Sequence, residues 1–114
     1  MPNPNTIARG NIIGEWVLSP TLSPASVAPN TTAEQAFTVQ GLNVGDFIEV
    51  NKPTVQAGLA IINTRVSAAN TLQIGFGNLT AATITPTANE IYNITVTRPE
   101  NLTAAGNSIL AAIT

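Results

Sequence analysis

Residues 40–77, QGLNVGDFIEVNKPTVQAGLAIINTRVSAANTLQIGFG, decide the fold. They read as three β-strands separated by turns. Gly41-Leu42-Asn43-Val44-Gly45-Asp46 reverses the chain, because its glycines are free to take positive φ and Asp46 can bond back to the backbone. Residues 47–50 (FIEV) form a short strand, stopped by Asn51-Lys52-Pro53. After the small-residue linker 54–58, residues 59–66 (LAIINTRV) make a strongly apolar strand. Leu59, Ile61, Asn63 and Arg65 share one of its faces, and Ala60, Ile62, Thr64 and Val66 share the other. The second set is expected to face the core, because Arg65 draws the first toward solvent or an interface. Ser67-Ala68-Ala69-Asn70 gives the next turn. Residues 71–77 then alternate cleanly, with Leu72, Ile74 and Phe76 inward and Thr71, Gln73, Gly75 and Gly77 outward. Outward glycines leave bare backbone, which marks a bulge or the close approach of another segment.

Working outward from this stretch, the flanks repeat the pattern. Residues 12–19 (IIGEWVLS) predict a strand with the single tryptophan at its centre. Ile12, Gly14, Trp16 and Leu18 lie on one face and Ile13, Glu15 and Val17 on the other, so both faces are partly apolar. Such a strand belongs either in the core or in a sheet with one face covered by another subunit. Prolines at 20, 24 and 29 keep residues 19–30 from forming a helix or a central strand, leaving a connection or a short edge. A strand resumes at Thr31, with Ala33, Gln35, Phe37 and Val39 alternating against Glu34, Ala36, Thr38 and Gln40. Residues 84–89 contain a turn, and residues 90–98 (EIYNITVTR) form a final strand with Tyr92, Ile94 and Val96 on one face.

Strands of this length with turns between them and no helix-length periodic segment predict an all-β fold, an antiparallel β-sandwich of jelly-roll-like or immunoglobulin-like type. The expected organisation is an extended N-terminal arm over residues 1–11, carrying prolines at 2 and 4, a β-sandwich domain over 12–100, and a C-terminal tail over 101–114. Ile109, Leu110 and Ile113 make that tail too apolar to lie free in water, so it is expected to dock on the domain or on a partner. With Ile7 on the arm and Ile12 and Ile13 where the sandwich begins, these apolar residues are the candidate interface.

Composition narrows the function. Only 9% of the 114 residues are charged, against about 25% in an ordinary globular protein. Asn, Thr, Ser and Gln replace the missing charges, and a surface of that kind suits a crowded assembly. Four basic and six acidic residues give a net charge of −2. That provides no basic patch able to neutralise several phosphates, so neither nucleic acid nor an anionic membrane is expected as a partner. No apolar run approaches the ~18 residues of a membrane span, and the first residues lack a signal pattern, so synthesis in the cytoplasm is expected.

The chain has no histidine and no cysteine. The commonest general base and the commonest zinc ligands are therefore missing, and no cofactor or metal is expected. Serine and threonine have no histidine to activate them, and the single lysine, Lys52, precedes a proline in a turn. Asp46 reads as a turn cap and not as a catalytic acid. Arg65 and Arg98 are each expected to bridge to a carboxylate, and Trp16 and Tyr92 to pack in the core and not to stack a sugar. Four Asn-x-Thr triplets, at Asn30, Asn78, Asn93 and Asn101, match a glycosylation pattern that chance explains in a chain this rich in Asn and Thr. No enzyme is expected.

At Gly41-Leu42-x-Val44-Gly45-Asp46, Val50-Asn51-Lys52-Pro53, Ala57-Gly58-Leu59, Arg65-Val66-Ser67-Ala68-Ala69-Asn70-Thr71-Leu72 and Tyr92-x-Ile94-x-Val96-x-Arg98-Pro99, the chain resembles small virion proteins of tailed bacteriophages. The resemblance covers residues 37–99 and consists of turn motifs. It implies a capsid decoration (cement) protein on the virion surface, bound to the major capsid protein, self-associating as a homotrimer first and a dimer next. A head-fibre or tail-fibre module that binds a host-surface glycan or receptor is the alternative. Asn70 stands where the family pattern admits Asp as often, a change that still suits a turn.

Overall fold

The structure, a computed structural model, describes residues 12–100. The arm and tail expected over 1–11 and 101–114, and with them Ile7, Ile109, Leu110 and Ile113, lie outside the described residues. The described chain is all β, with no helix. Its strands are β1 (Ile12–Leu18), β2 (Thr21–Leu22), β3 (Thr31–Thr38), β4 (Phe47–Asn51), β5 (Leu59–Ala68), β6 (Thr71–Asn78), β7 (Glu90–Ile91) and β8 (Asn93–Pro99).

All pairings are antiparallel: β1 with β8, β2 with β7, β3 with β6, β4 with β8, and β5 with β6 in a hairpin. The β3–β6 and β4–β8 pairings interleave along the chain, the crossover between sheets found in Greek-key sandwiches of immunoglobulin-like type. The fold gives two three-stranded sheets, in the orders β1-β8-β4 and β3-β6-β5, with the short β2-β7 pair prolonging the first ladder. Val96 and Ile94 on the first sheet meet Leu72, Ile74 and Phe76 on the second in one core, joined by Leu22, Val27, Val39, Leu42, Val66 and Tyr92. The period-two patterns of β6 and β8 thus define the two facing layers of a sandwich.

One expectation fails in β5. The set Ala60, Ile62, Thr64, Val66 does not face the core throughout, because the register slips between Ile61 and Asn63. Leu59 and Ile61 pack on the core before the slip, and Val66 is buried after it. A β-bulge inserts one residue and so inverts the phase of everything that follows. The inserted residue, Ile62, turns outward and lies over the backbone of β6. A Cβ at Gly75 would meet Ile62 Cγ1 at 3.3 Å, and one at Gly77 would meet Ile62 Cγ2 at 3.2 Å. The close approach that outward glycines suggested therefore comes from the protein's own β5.

The gap above Gly75 serves a second contact. Gly75 lies opposite Glu34 of β3 on one side and Asn63 of β5 on the other. With no side chain there, Arg65 reaches across the central strand to Glu34 in a bidentate pair, Nε to Oε2 at 2.8 Å and Nη2 to Oε1 at 2.7 Å. Both partners are exposed, so water and salt weaken the pair.

The core carries one polar tip. Tyr92 is fully buried, and its hydroxyl has no hydrogen-bond partner among the described residues. Burial first, and the nearby Glu90 carboxylate second, push its phenol up to about 12. Glu90 is itself nearly buried, paired with Lys52 at 2.9 Å and accepting a bond from Thr54 Oγ1. The Thr54 and Lys52 hydrogen bonds hold its carboxyl below the usual value.

Two outcomes test these contacts. Gly75→Val should cost roughly 1–3 kcal/mol in chemical denaturation, since Ile62 must move and the Glu34–Arg65 path closes; unchanged stability would refute the packing. Because Tyr92 is the single tyrosine, its phenolate absorbance can be followed alone. The raised value means that the neutral phenol's contribution is complete below pH 10 and is lost as pH rises through about 12. The absorbance step should therefore appear near pH 12, together with unfolding; a reversible step near pH 10 in the folded protein would contradict the burial.

Candidate functional site

The turn residues from distant parts of the chain converge on one end of the sandwich. Gly41 and Gly45 hold φ values of 99° and 98°, and Asn70 one of 58°. Asn70 sits in the left-handed region that asparagine tolerates better than most side chains. Its side chain accepts a bond from the Gly41 amide at 2.8 Å, its own amide donates to Leu42 O at 2.8 Å, and its carbonyl accepts from Val39 N at 2.9 Å. The β3–β4 turn is thereby fastened to the β5–β6 turn, and Leu42 is fixed in the core.

Arg98 ties the same turn to the first sheet. Its Nε donates to Asp46 Oδ1 and its Nη2 to Asp46 Oδ2, each at 2.8 Å, and Nη2 also reaches Gly41 O at 2.7 Å. Asp46 closes its own turn, accepting from Asn43 N at 2.9 Å and donating from its amide to Asn43 O at 3.1 Å. The turn-cap reading of Asp46 and the carboxylate-bridging readings of Arg65 and Arg98 all hold. The Asp46 carboxylate is nearly fully buried. The Arg98 hydrogen bond, assisted by the Asn43 amide and the Arg98 charge, outweighs burial and holds its carboxyl below the usual value.

Trp16 departs from the expected core position. It is 44% exposed, and the Arg98 guanidinium carbon lies 4.9 Å from the centre of its ring. This cation–π contact is possible because Gly14, two residues back on the same strand face, has no side chain. A Cβ there would come within 2.9 Å of the indole. Trp16, Leu18, Gly41, Val96 and Arg98 enclose a cleft of about 200 Å³ between the first sheet and the β3–β4 turn. Tyr92 is buried and takes no part in it.

Around this end the surface is apolar. Ile13 is 58% exposed, and Val44 and Phe47 are exposed beside the Asp46–Arg98 pair. Ile12 is half-buried and lies opposite Pro99. Both segments outside the described residues therefore join the sandwich at the same corner, 1–11 at Ile12 and 101–114 just past Pro99. Of the candidate interface residues, Ile12 and Ile13 stand at this corner. Sequence reasoning missed the Trp16–Arg98 stack, the cleft and the exposed Phe47; the only local signal was Gly14 spaced two residues before Trp16.

Among the described residues, no three His, Cys, Asp or Glu side chains come together as metal ligands. Asn78, in one of the glycosylation-like triplets, is buried, and its amide is used by Val27 O, Ala82 O and Thr80. No family model, curated protein or solved structure matches this chain.

Asp46→Asn should lower stability at neutral pH by about 2 kcal/mol, the scale of a lost charge-assisted hydrogen bond in a nearly buried site. The sign with pH follows from the depressed carboxyl. Its contribution is complete above the reference value of 3.8 and is lost as pH falls through the lower folded value. Denaturation curves of the two proteins should therefore converge in acid, and a gap that widens in acid would overturn the assignment.

Proposed function

We propose that the protein is a bacteriophage capsid decoration protein that binds the outer head surface through its major capsid protein and stabilises the lattice. One observation carries this reading: the two segments flanking the sandwich leave from the same corner, amid exposed Ile13, Trp16, Val44 and Phe47. An anchor at that corner would present two arms and an apolar surface to one partner, while the knotted turns keep it rigid. The low charge agrees with close packing on a lattice, where like charges on neighbouring copies would repel. Three of the stretches that carry the resemblance to phage virion proteins, those with Gly41 to Asp46, Asn70 and Arg98, meet in this knot. Self-association as a homotrimer at local three-fold positions is the first expectation, and a dimer the second. The proposal asks for no catalytic constellation.

The half-exposed ring of Trp16 above its cleft favours one second reading, a head-fibre or tail-fibre module that binds a host-surface glycan. That reading expects oligosaccharide to quench the emission of Trp16, the single tryptophan.

Imaging of intact particles with the protein labelled decides between them: density repeating over the capsid lattice is expected, and a position confined to a fibre or the tail would sink the decoration reading. Removing residues 1–10 should lower occupancy on purified capsids while leaving the sandwich folded, and unchanged occupancy would exclude the arm as an anchor.

A further inference from the structure

The sandwich has four outer strand edges, and three of them are attended to. The edge of β3 lies against the segment around Ala25, which Gln35 clamps through the Ala25 amide at 2.7 Å and carbonyl at 2.9 Å. The edges of β4 and β5 face one another, joined where Thr64 Oγ1 donates to Ile48 O at 3.3 Å. The fourth edge is β1. Among the described residues, this strand pairs from Gly14 to Leu18 with β8 alone.

An exposed edge is ordinarily protected by lysine, proline or a covering segment, because its free amides and carbonyls accept any extended chain. Residues 14–18 contain neither lysine nor proline, and Glu15 is their only charge. Val17 is 69% exposed, and Ile13 lies beside the same edge. On the other face of β1, Trp16 and Leu18 border the cleft that reaches inward to Val96. Free backbone, an apolar outer strip and a side-chain-sized cleft thus meet on five residues, which is the layout of a strand-adding site.

We infer that β1 is a docking edge for an extended segment of another polypeptide. That segment pairs with residues 14–18 through its backbone, places a large apolar side chain in the cleft beside Trp16, and carries Lys or Arg opposite Glu15. Charge complementarity selects the basic residue. The outer face of the first sheet presents Glu15 and Glu49 and, among the described residues, no cation, while Arg98 on the inner face is already paired with Asp46. A second copy fits poorly, because antiparallel pairing of β1 with itself about its centre sets Glu15 against Glu15. The inference deepens the assembly reading by naming the edge and the chemistry of the chain it receives, and it rests on that reading only in taking the partner to be a protein.

The test selects displayed random peptides of about nine residues, enough to span the strand, against the full chain. Enriched peptides should alternate, with a central Lys or Arg between apolar residues, and should shift the emission of Trp16. N-methylation of the peptide amides that face β1 should weaken binding at least about tenfold, the loss of one or two backbone hydrogen bonds. Methylation of the opposite amides should leave it unchanged. Glu15→Lys, at an exposed position, should reverse the selection toward acidic peptides. Failure to enrich any peptide, equal tolerance of both methylation patterns, or an unchanged charge preference in Glu15→Lys would each overturn the proposal. So would a self-association that displaces the peptides, since a second copy would then own the edge. Absence of the protein from capsids alongside intact peptide binding would remove the decoration reading and leave this one standing.

Discussion

Arg98 is the residue on which the architecture turns. One guanidinium carries the Asp46 carboxylate, the Gly41 carbonyl and the face of Trp16, so it joins β8, the β3–β4 turn and β1 at a single point. A planar fork with several donors can meet three partners at once, which a lysine ammonium at the same place could not do with the same geometry. The cost of bringing a nearly buried carboxylate out of water is met because Asp46 has hydrogen bonds from both Arg98 and Asn43. Through Gly41 the arrangement continues to Asn70, and through Asn70 to the second sheet. The two layers are therefore locked at this end by polar contacts, while apolar packing holds them elsewhere.

The consequence for function is a division of labour between the middle and the margin. The turn residues, Gly41, Gly45, Asp46 and Asn70, are consumed by backbone geometry. The lock leaves Ile13, Val17, Val44 and Phe47 exposed outside it, beside the open part of the Trp16 ring that Arg98 holds. Rigidity there has a use, since a surface already held in place loses little conformational freedom when it is covered.

Local pattern made much of this legible. The alternation of Leu72, Ile74 and Phe76 and of Tyr92, Ile94 and Val96 identified the two central strands and their buried faces, because one face of each is sealed and the period is strict. Turn chemistry at Gly41 and Asn70 was equally plain, since positive φ is a property of the residue and not of its neighbours. The failures share a different cause. The bulge at Ile62 depends on the glycines of β6, and the half-exposed state of Trp16 depends on β1 lying at an edge. The Lys52–Glu90 pair joins residues 38 positions apart (90 − 52). Each is decided by a strand far away in the sequence, and no window along β1, β5 or the β4–β5 loop contains it.

The spread of pairing distances along the chain also orders events in time. The β5–β6 hairpin closes over a two-residue turn, whereas Leu18 meets Ile94 only after the whole intervening chain has been gathered in. Loop-closure entropy makes the near pairing the natural start and the distant one the natural end. Folding then proceeds outward from Asn70, and β1, which among the described residues pairs with β8 alone, is the last strand to seat. It is correspondingly the first to part when the domain opens. A chain laid along β1 would close that final gap from outside and raise the resistance of the whole ladder to unravelling. The strand best placed to hold a partner is also the one whose seating the partner would secure.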